Sequence, residues 1–167
     1  MSVEAVRAYL ARWGKETQVR EFAVSSATVE LAAAALQVEP ARIAKTLSFR
    51  AADGAILVVA AGDAKIDNAK FKAQFGRKAA MLTPEEVLRW TGHAVGGVCP
   101  FALPEPAVKV FTDLSLRRFA TVFPACGSGN SAIELSCDEL YEYAGSSGWV
   151  DVCRLRQPKS EENESGK

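Results

Sequence analysis

One histidine, His93, serves the whole 167-residue chain. The four cysteines, Cys99, Cys126, Cys137 and Cys153, form no CxxC pair, and His93 stands six residues from Cys99. Metal sites legible in sequence need clustered ligands, so no metal is implied, and in a reducing compartment these cysteines are free thiols, several buried as small hydrophobes. No GxSxG elbow is present, no histidine follows a plausible catalytic cysteine, and no convincing carboxylate pair exists. A conventional nucleophilic triad is therefore excluded. Twenty basic residues balance twenty acidic ones. That neutrality argues against a protein that coats nucleic acid over a wide surface, and DNA is not expected as a partner. No apolar run approaches the roughly 20 residues that span a bilayer, and Met1 to Arg7 carries charges where a signal peptide has an apolar core. A cytoplasmic protein without a membrane partner is expected.

What the chain does contain is a substantial core, with 49% hydrophobic and 24% charged residues. Length and composition fit one soluble domain over residues 1–156, followed by a polar tail, 157–167, too poor in apolar residues to order itself. Val3, Val6, Leu10 and Trp13 recur at helical spacing up to Gly14. Val19 to Phe22 reads as a strand. Thr28 caps a helix carrying Leu31 and an alanine run, and Pro40 opens a short helical piece. Leu47, Phe49 and Ala51 alternate with polar neighbours, Asp53-Gly54 turns the chain, and Ile56 to Ala60 follows as a buried strand, which together predict a hairpin. Asp67 to Phe75 and Thr83 to Thr91 read as helices stopped by glycine, the second opened by the capping box Thr83 and Glu86. Strands are expected at Val108–Thr112, Phe119–Phe123 and Ser131–Leu135. A capping box at Ser136 and Glu139 starts a last helix, and Trp149 to Arg154 is extended. Strands outnumber helices and cluster centrally, so the expected class is α+β: a curved mixed sheet flanked by helices.

The chemistry concentrates in two places. Val95-Gly-Gly-Val-Cys-Pro-Phe101 joins a Gly-Gly pair to a proline, so the backbone can approach a bound group closely and hold that bend. N–H groups at Gly97 and Val98 are placed to meet a carbonyl, with Gly96 and Pro100 shaping the bend. Lys45 opens a strand after Ile43-Ala44, at an element boundary where side chains reach clefts. The Cys126-Gly-Ser-Gly-Asn130 turn is glycine-rich, but a strand rather than a helix follows it. It therefore forms a pocket wall and not a phosphate loop. His93 follows a helix-ending glycine and is read as a packing residue, and Asp113 as a turn or cap aspartate. Lys65, Lys70, Lys72, Arg77 and Lys78 stand against Asp67 alone. Such a run is ordinarily a solvated face.

Ile43-Ala-Lys-Thr-Leu47, Thr91-Gly-His-Ala-Val-Gly-Gly-Val-Cys-Pro-Phe101 and Ala132-Ile-Glu-Leu-Ser136 occur in the order and spacing of the YbaK family. The resemblance runs from about Val3 to Arg154. It is to free-standing relatives of the editing domain inserted in bacterial prolyl-tRNA synthetase. The resemblance implies a central, partly barrel-like mixed sheet. It implies that Lys45 holds the substrate's terminal adenosine phosphate and amino acid. It further implies that Gly96 and Gly97 belong to a loop that stabilises the ester carbonyl, and that hydrolysis proceeds through bound water and the substrate's own groups without a cofactor. Thr28, Thr46, Val98, Pro100, Ala125, Gly127 and Ser131 would shape the substrate pocket, and Lys65, Lys70, Lys72 and Lys78 would touch tRNA weakly. The branch specific for cysteine attached to tRNA carries a serine and an aspartate where this chain has Ala125 and Ala132, so those two roles do not transfer.

The sequence thus leads to the expectation of a trans-acting aminoacyl-tRNA deacylase acting on a mischarged small amino acid (alanine, serine, cysteine or an analogue) on tRNA for proline. The acceptor end of that tRNA is the expected partner, with prolyl-tRNA synthetase a further candidate. The alternative is a non-catalytic module that senses an amino acid or an aminoacyl-tRNA end through the same pocket.

Overall fold

Asp53-Gly54 closes the central hairpin as predicted. Counted in chain order, β1 spans Arg20–Glu21, β2 Ile43–Ala51, β3 Gly54–Ala61, β4 Ala64–Ile66 and β5 Val108–Asp113. They are followed by β6 at Thr121–Pro124, β7 at Ser131–Ala132, β8 at Leu135–Ser136, β9 at Trp149–Val150 and β10 at Cys153–Leu155. The helices are α1 Ser2–Leu10, α2 Val29–Leu36, α3 Asn68–Phe75, α4 Pro84–Thr91 and α5 Cys137–Tyr143. This computed structural model describes residues 2–104 and 106–155. The polar tail expected over 157–167 lies outside the described residues.

β2 and β3 pair antiparallel from Ala44↔Ala61 to Ala51↔Gly54. β5 joins β3 in parallel and β6 joins β2 in parallel, giving the order β8-β6-β2-β3-β5-β9. The result is one α+β domain whose curled, mixed six-stranded sheet forms a half barrel. β3 is covered on both faces, with Leu57, Val58 and Val59 wholly buried, which is why its sequence is a continuous apolar run. An aromatic row, Phe49, Phe71, Phe75 and Phe111, with successive ring centroids 4.7 to 5.0 Å apart, fastens α3 to the sheet. Both predicted capping boxes form, at Thr83/Glu86 and at Ser136/Glu139.

Three expectations need correction. The segment Ser131–Leu135 is not one strand. Its start, β7, pairs with β1, and β8 pairs with β6. Between them the Ile133 N–H donates to the Pro124 carbonyl at 3.1 Å. Pro124 has no N–H to return that bond, so the ladder stops and the chain changes partner. The stretch Trp149–Arg154 likewise divides into β9, on the main sheet, and β10, which pairs with the unpredicted β4. Finally, the strand placed at Phe119–Phe123 begins two residues later, because a 3-10 turn covers Leu114–Arg118. Asp113 caps that turn, accepting from the Ser115 N–H at 2.9 Å, and also accepts from the Val152 N–H at 2.9 Å. It is buried and structural, as the cap reading requires.

Candidate active site

β2 carries Ile43, Ala44, Lys45, Thr46 and Ser48 along one wall of a cleft of about 380 Å³. The start of α2 supplies Thr28, Val29 and Ala32, preceded by Ser26 and Ala27. Met81, Leu82 and α4 close another side, and Val95, Gly96 and Val98 form the rim loop. Phe123, Ala125, Ser131 and Ala132 complete the enclosure.

The three loops that meet here fix one another. A Cβ on Gly97 would lie 2.7 Å from the Ser128 backbone, so this position admits only glycine while the loops touch. Gly96 has φ of 97°, a left-handed conformation, and a Cβ there would approach the Ala27 Cβ at 3.2 Å. The Ser26 N–H donates to the Gly129 carbonyl at 2.7 Å. Ser131 Oγ, buried, meets Ser128 Oγ at 2.8 Å and accepts from the Cys126 N–H at 3.3 Å, so it organises the turn. Lys45 donates from its ammonium to the carbonyls of Ala64 and of Gly62, the latter at 3.3 Å. Asp63, between them, is clamped by Arg118 through bonds of 2.6 and 3.0 Å, which hold its carboxyl below the usual carboxylate range. The turn beside Lys45 is thus tied from two directions.

The sequence profile of the aminoacyl-tRNA editing domain matches residues 24–143. The chain belongs to this family. The editing domain is 57% identical over 155 residues to the uncharacterized protein YwhH of Bacillus subtilis, covering 92% of this chain and 98% of that one. It is 34% identical over 91 residues to the proline–tRNA ligase of Thermotoga maritima, which takes in 54% of this chain but 15% of the ligase. A crystal structure described as that of a proposed trans-editing enzyme for prolyl tRNA synthetase superposes with a TM-score of 0.82 at 29% identity, covering 94% of this chain and 98% of that one.

Several of the residues singled out in sequence come together in the editing domain and others do not. Thr28, Lys45, Thr46, Gly96, Val98, Ala125 and Ser131 all line the cleft. Thr28 also caps α2, accepting from the Leu31 N–H at 3.1 Å. Gly97, Pro100 and Gly127 lie behind the wall, each buried. The expectation that the Gly97 N–H faces a carbonyl is corrected: it donates to Ala94 O at 3.0 Å and closes the rim turn. The Val98 N–H has no acceptor among the described residues. None of Lys65, Lys70, Lys72 and Lys78 lines the cleft, and all four are exposed. Lys70 bonds Asp151 and the Cys153 carbonyl, each at 3.1 Å, and so ties α3 to the β9–β10 segment. Ser26, Ser48 and Met81 were missed. Ser48 shares a strand face with Thr46 by period two, a signal that was available. Ser26 and Met81 sit in irregular segments that carry no such pattern.

His93 packs, as its sequence context indicated. It is 1% exposed, and its Nε2–H donates to the Phe101 carbonyl at 2.8 Å. Burial holds its pKa below the ordinary histidine value. The sign follows from linkage. Above about pH 6.5 neither folded nor unfolded chain is protonated there, and as pH falls through that value only the unfolded chain takes up the proton. Folding stability should therefore decline from about pH 6.5 toward the lower folded pKa. His93→Phe is expected to flatten this decline between pH 7 and 5 in thermal melts. At pH 8 the same change should cost about 1–3 kcal/mol, since the Phe101 carbonyl loses its buried donor.

Cys99 is wholly buried, and desolvation pushes its thiol up to about 12. Its Sγ lies 3.5 Å from His93 Nε2, but that nitrogen carries the proton given to Phe101, so it cannot act as a base toward the thiol. No group of three or more metal-ligating side chains occurs among the described residues, and no helix there is long and apolar enough to cross a membrane.

Proposed function

We propose that this editing domain is a trans-acting aminoacyl-tRNA deacylase that hydrolyses the ester of a mischarged small amino acid, with tRNA for proline as the carrier. The observation that carries the reading is the cleft itself. Ala32, Ala44, Ala125 and Ala132 line it with small apolar side chains beside Lys45 and the Gly96–Val98 rim. Space bounded in this way suits a short side chain and rejects larger ones by size, the principle by which a second hydrolytic site corrects a synthetase. Kinship with a segment of proline–tRNA ligase supports the choice of tRNA.

An aminoacyl ester is already activated, so no enzyme nucleophile is required. Water attacks the carbonyl carbon, the carbon–oxygen bond to the ribose breaks, and the ribose oxygen takes a proton. The products are free amino acid and free tRNA. Negative charge builds on the carbonyl oxygen during attack, and the Val98 N–H is the donor offered to it. One such donor is worth roughly 2.7–4 kcal/mol in well-formed oxyanion holes. The Lys45 ammonium, tethered by Gly62 and Ala64, supplies fixed positive charge for the terminal nucleotide.

The test is incubation of the purified chain with tRNA for proline charged separately with alanine, serine, cysteine and proline. Loss of the small-residue esters well above the spontaneous rate, with prolyl ester spared, is expected. Measurable binding with every ester intact would replace the deacylase by a sensing module. Cys99→Ala should keep the rate within a few-fold of the parent, because a thiol with its pKa at about 12 is not a thiolate at neutral pH. A loss on the order of a thousandfold with the fold intact would instead indicate a covalent intermediate.

A further inference from the structure

One side chain joins the two ends of the rim loop. His93 opens the loop, Phe101 closes it eight residues on, and the His93 Nε2–H donates to the Phe101 carbonyl at 2.8 Å. The backbone of His93 is itself anchored to α4. Its N–H donates at 3.1 Å to Thr91 Oγ1, which donates at 2.6 Å to the Val87 carbonyl. At the far end Ala102 has φ of 56°, a left-handed conformation that alanine adopts at a cost. Such a conformation persists where the surroundings fix it. Here the preceding Phe101 is wholly buried, with its carbonyl held by the imidazole.

Packing alone does not account for a histidine at this position. A phenyl ring would fill comparable space with no polar atom to bury. The imidazole instead buries Nδ1 with no hydrogen-bond partner among the described residues, which destabilises the fold. What it supplies in exchange is the Nε2–H clasp on Phe101. Inside the clasp, Gly97 is turned onto Ala94 and packed on the Ser128 backbone. Cys99 is wholly buried, with Sγ 3.5 Å from the same imidazole nitrogen. Val98 stands between these two fixed neighbours. We infer that His93 is a positioning residue, whose clasp on Phe101 sets the direction of the Val98 N–H toward a bound carbonyl. This deepens the deacylase reading and rests on its assignment of Val98. His93 transfers no proton in this role, and it does not line the cleft. Loss of the clasp leaves the cleft's binding contacts in place and misdirects one donor, so the rate should fall without a loss of affinity.

The experiment compares the parent with His93→Phe and His93→Gln at pH 8, where the imidazole is neutral. Single-turnover hydrolysis of alanyl-tRNA for proline gives the rate. A non-hydrolysable probe, 3′-amino-3′-deoxyadenosine carrying alanyl through an amide, gives the affinity. The Val98 amide resonance of isotope-labelled protein is followed as the probe is added. His93→Phe should lower the rate at least about tenfold, a fraction of what a displacement of about 1 Å can cost. Its Kd for the probe should stay within about threefold of the parent's, the pattern of an interaction made only in the transition state. His93→Gln restores an N–H donor to Phe101 and should recover the rate to within about threefold of the parent's. Phe71→Leu, which loosens the aromatic row under α3, should lower the melting point and leave the rate unchanged. In the parent the Val98 amide proton should move downfield with the probe, an effect lost in His93→Phe and regained in His93→Gln. A Val98 resonance that ignores bound probe in the parent would overturn the inference whatever the variants do. So would the parent's rate in His93→Phe, a rate in His93→Gln as low as in His93→Phe, or an equal fall in Phe71→Leu. The Val98 response with no ester hydrolysed by the parent removes the deacylase reading and leaves the clasp standing. Hydrolysis that His93→Phe leaves untouched does the reverse, and a parent that neither binds the probe nor hydrolyses the ester removes both.

Discussion

Lys45→Ala is expected to lower the deacylation rate on the order of a hundredfold. Two effects combine. The substitution removes the one positive charge among the cleft-lining residues, and it frees the Gly62 and Ala64 carbonyls that the ammonium ties together. Displacement of a reacting group by about 1 Å can alone cost on the order of a hundredfold. Lys45→Arg distinguishes the two contributions. It keeps the charge but places a wide planar fork where a compact ammonium reached two carbonyls. Single-turnover rates for both variants, with circular dichroism as a control on folding, form the measurement. A Lys45→Ala protein that hydrolyses mischarged tRNA as fast as the parent would remove this cleft from consideration.

Gly97→Ala should be nearly as damaging for a different reason. The added methyl group would sit 2.7 Å from the Ser128 backbone, and backbone cannot swing aside as a side chain tip can. The rim loop and the 125–131 turn must separate. Overpacking of this kind costs roughly 1–3 kcal/mol of stability. The separation also moves Val98, whose N–H is assigned to the ester carbonyl, and a shift of that donor carries the same on-the-order-of-hundredfold sensitivity in rate. Gly127, in the same turn, does not line the cleft. A Gly97→Ala protein with the parent's rate and melting point would show that the two loops part without consequence.

Features written in neighbouring residues were legible in the sequence. The hairpin at Asp53-Gly54, both capping boxes and the glycine stops after α1's 3-10 extension, α3 and α4 needed only a local pattern. β4 and β10 were not legible. Each is three residues long, and each exists because the other lies opposite across a separation of nearly ninety residues. The break between β7 and β8 depends on which strand Pro124 happens to face. The site divides along the same line. The lysine at the start of β2, the hydroxyl beside it and the Gly-Gly rim were readable, and the structure brings Lys45, Thr46, Gly96 and Val98 to one cleft. The direction of a single N–H at Gly97 was not readable, since a turn to Ala94 and an approach to a ligand share one sequence. Ser26 belongs to the cleft through the Gly129 contact, which no local pattern announces.

The walls of the cleft come from five stretches of chain, around residues 26–32, 43–48, 81–87, 95–98 and 123–132. No hairpin or helix pair contains the pocket, and the parallel pairing of β2 with β6 joins residues about eighty positions apart. Contacts of such long range form late and slowly, because the loops between them must close first. The pocket is therefore a property of the finished molecule. A nascent or partly unfolded chain lacks the proposed ester site, and a ligand that binds there would stabilise the whole domain, not one lobe of it. During urea titration, binding of aminoacyl-tRNA and ellipticity should vanish together. Amide hydrogens of β2 and β6 should exchange only through the same global opening.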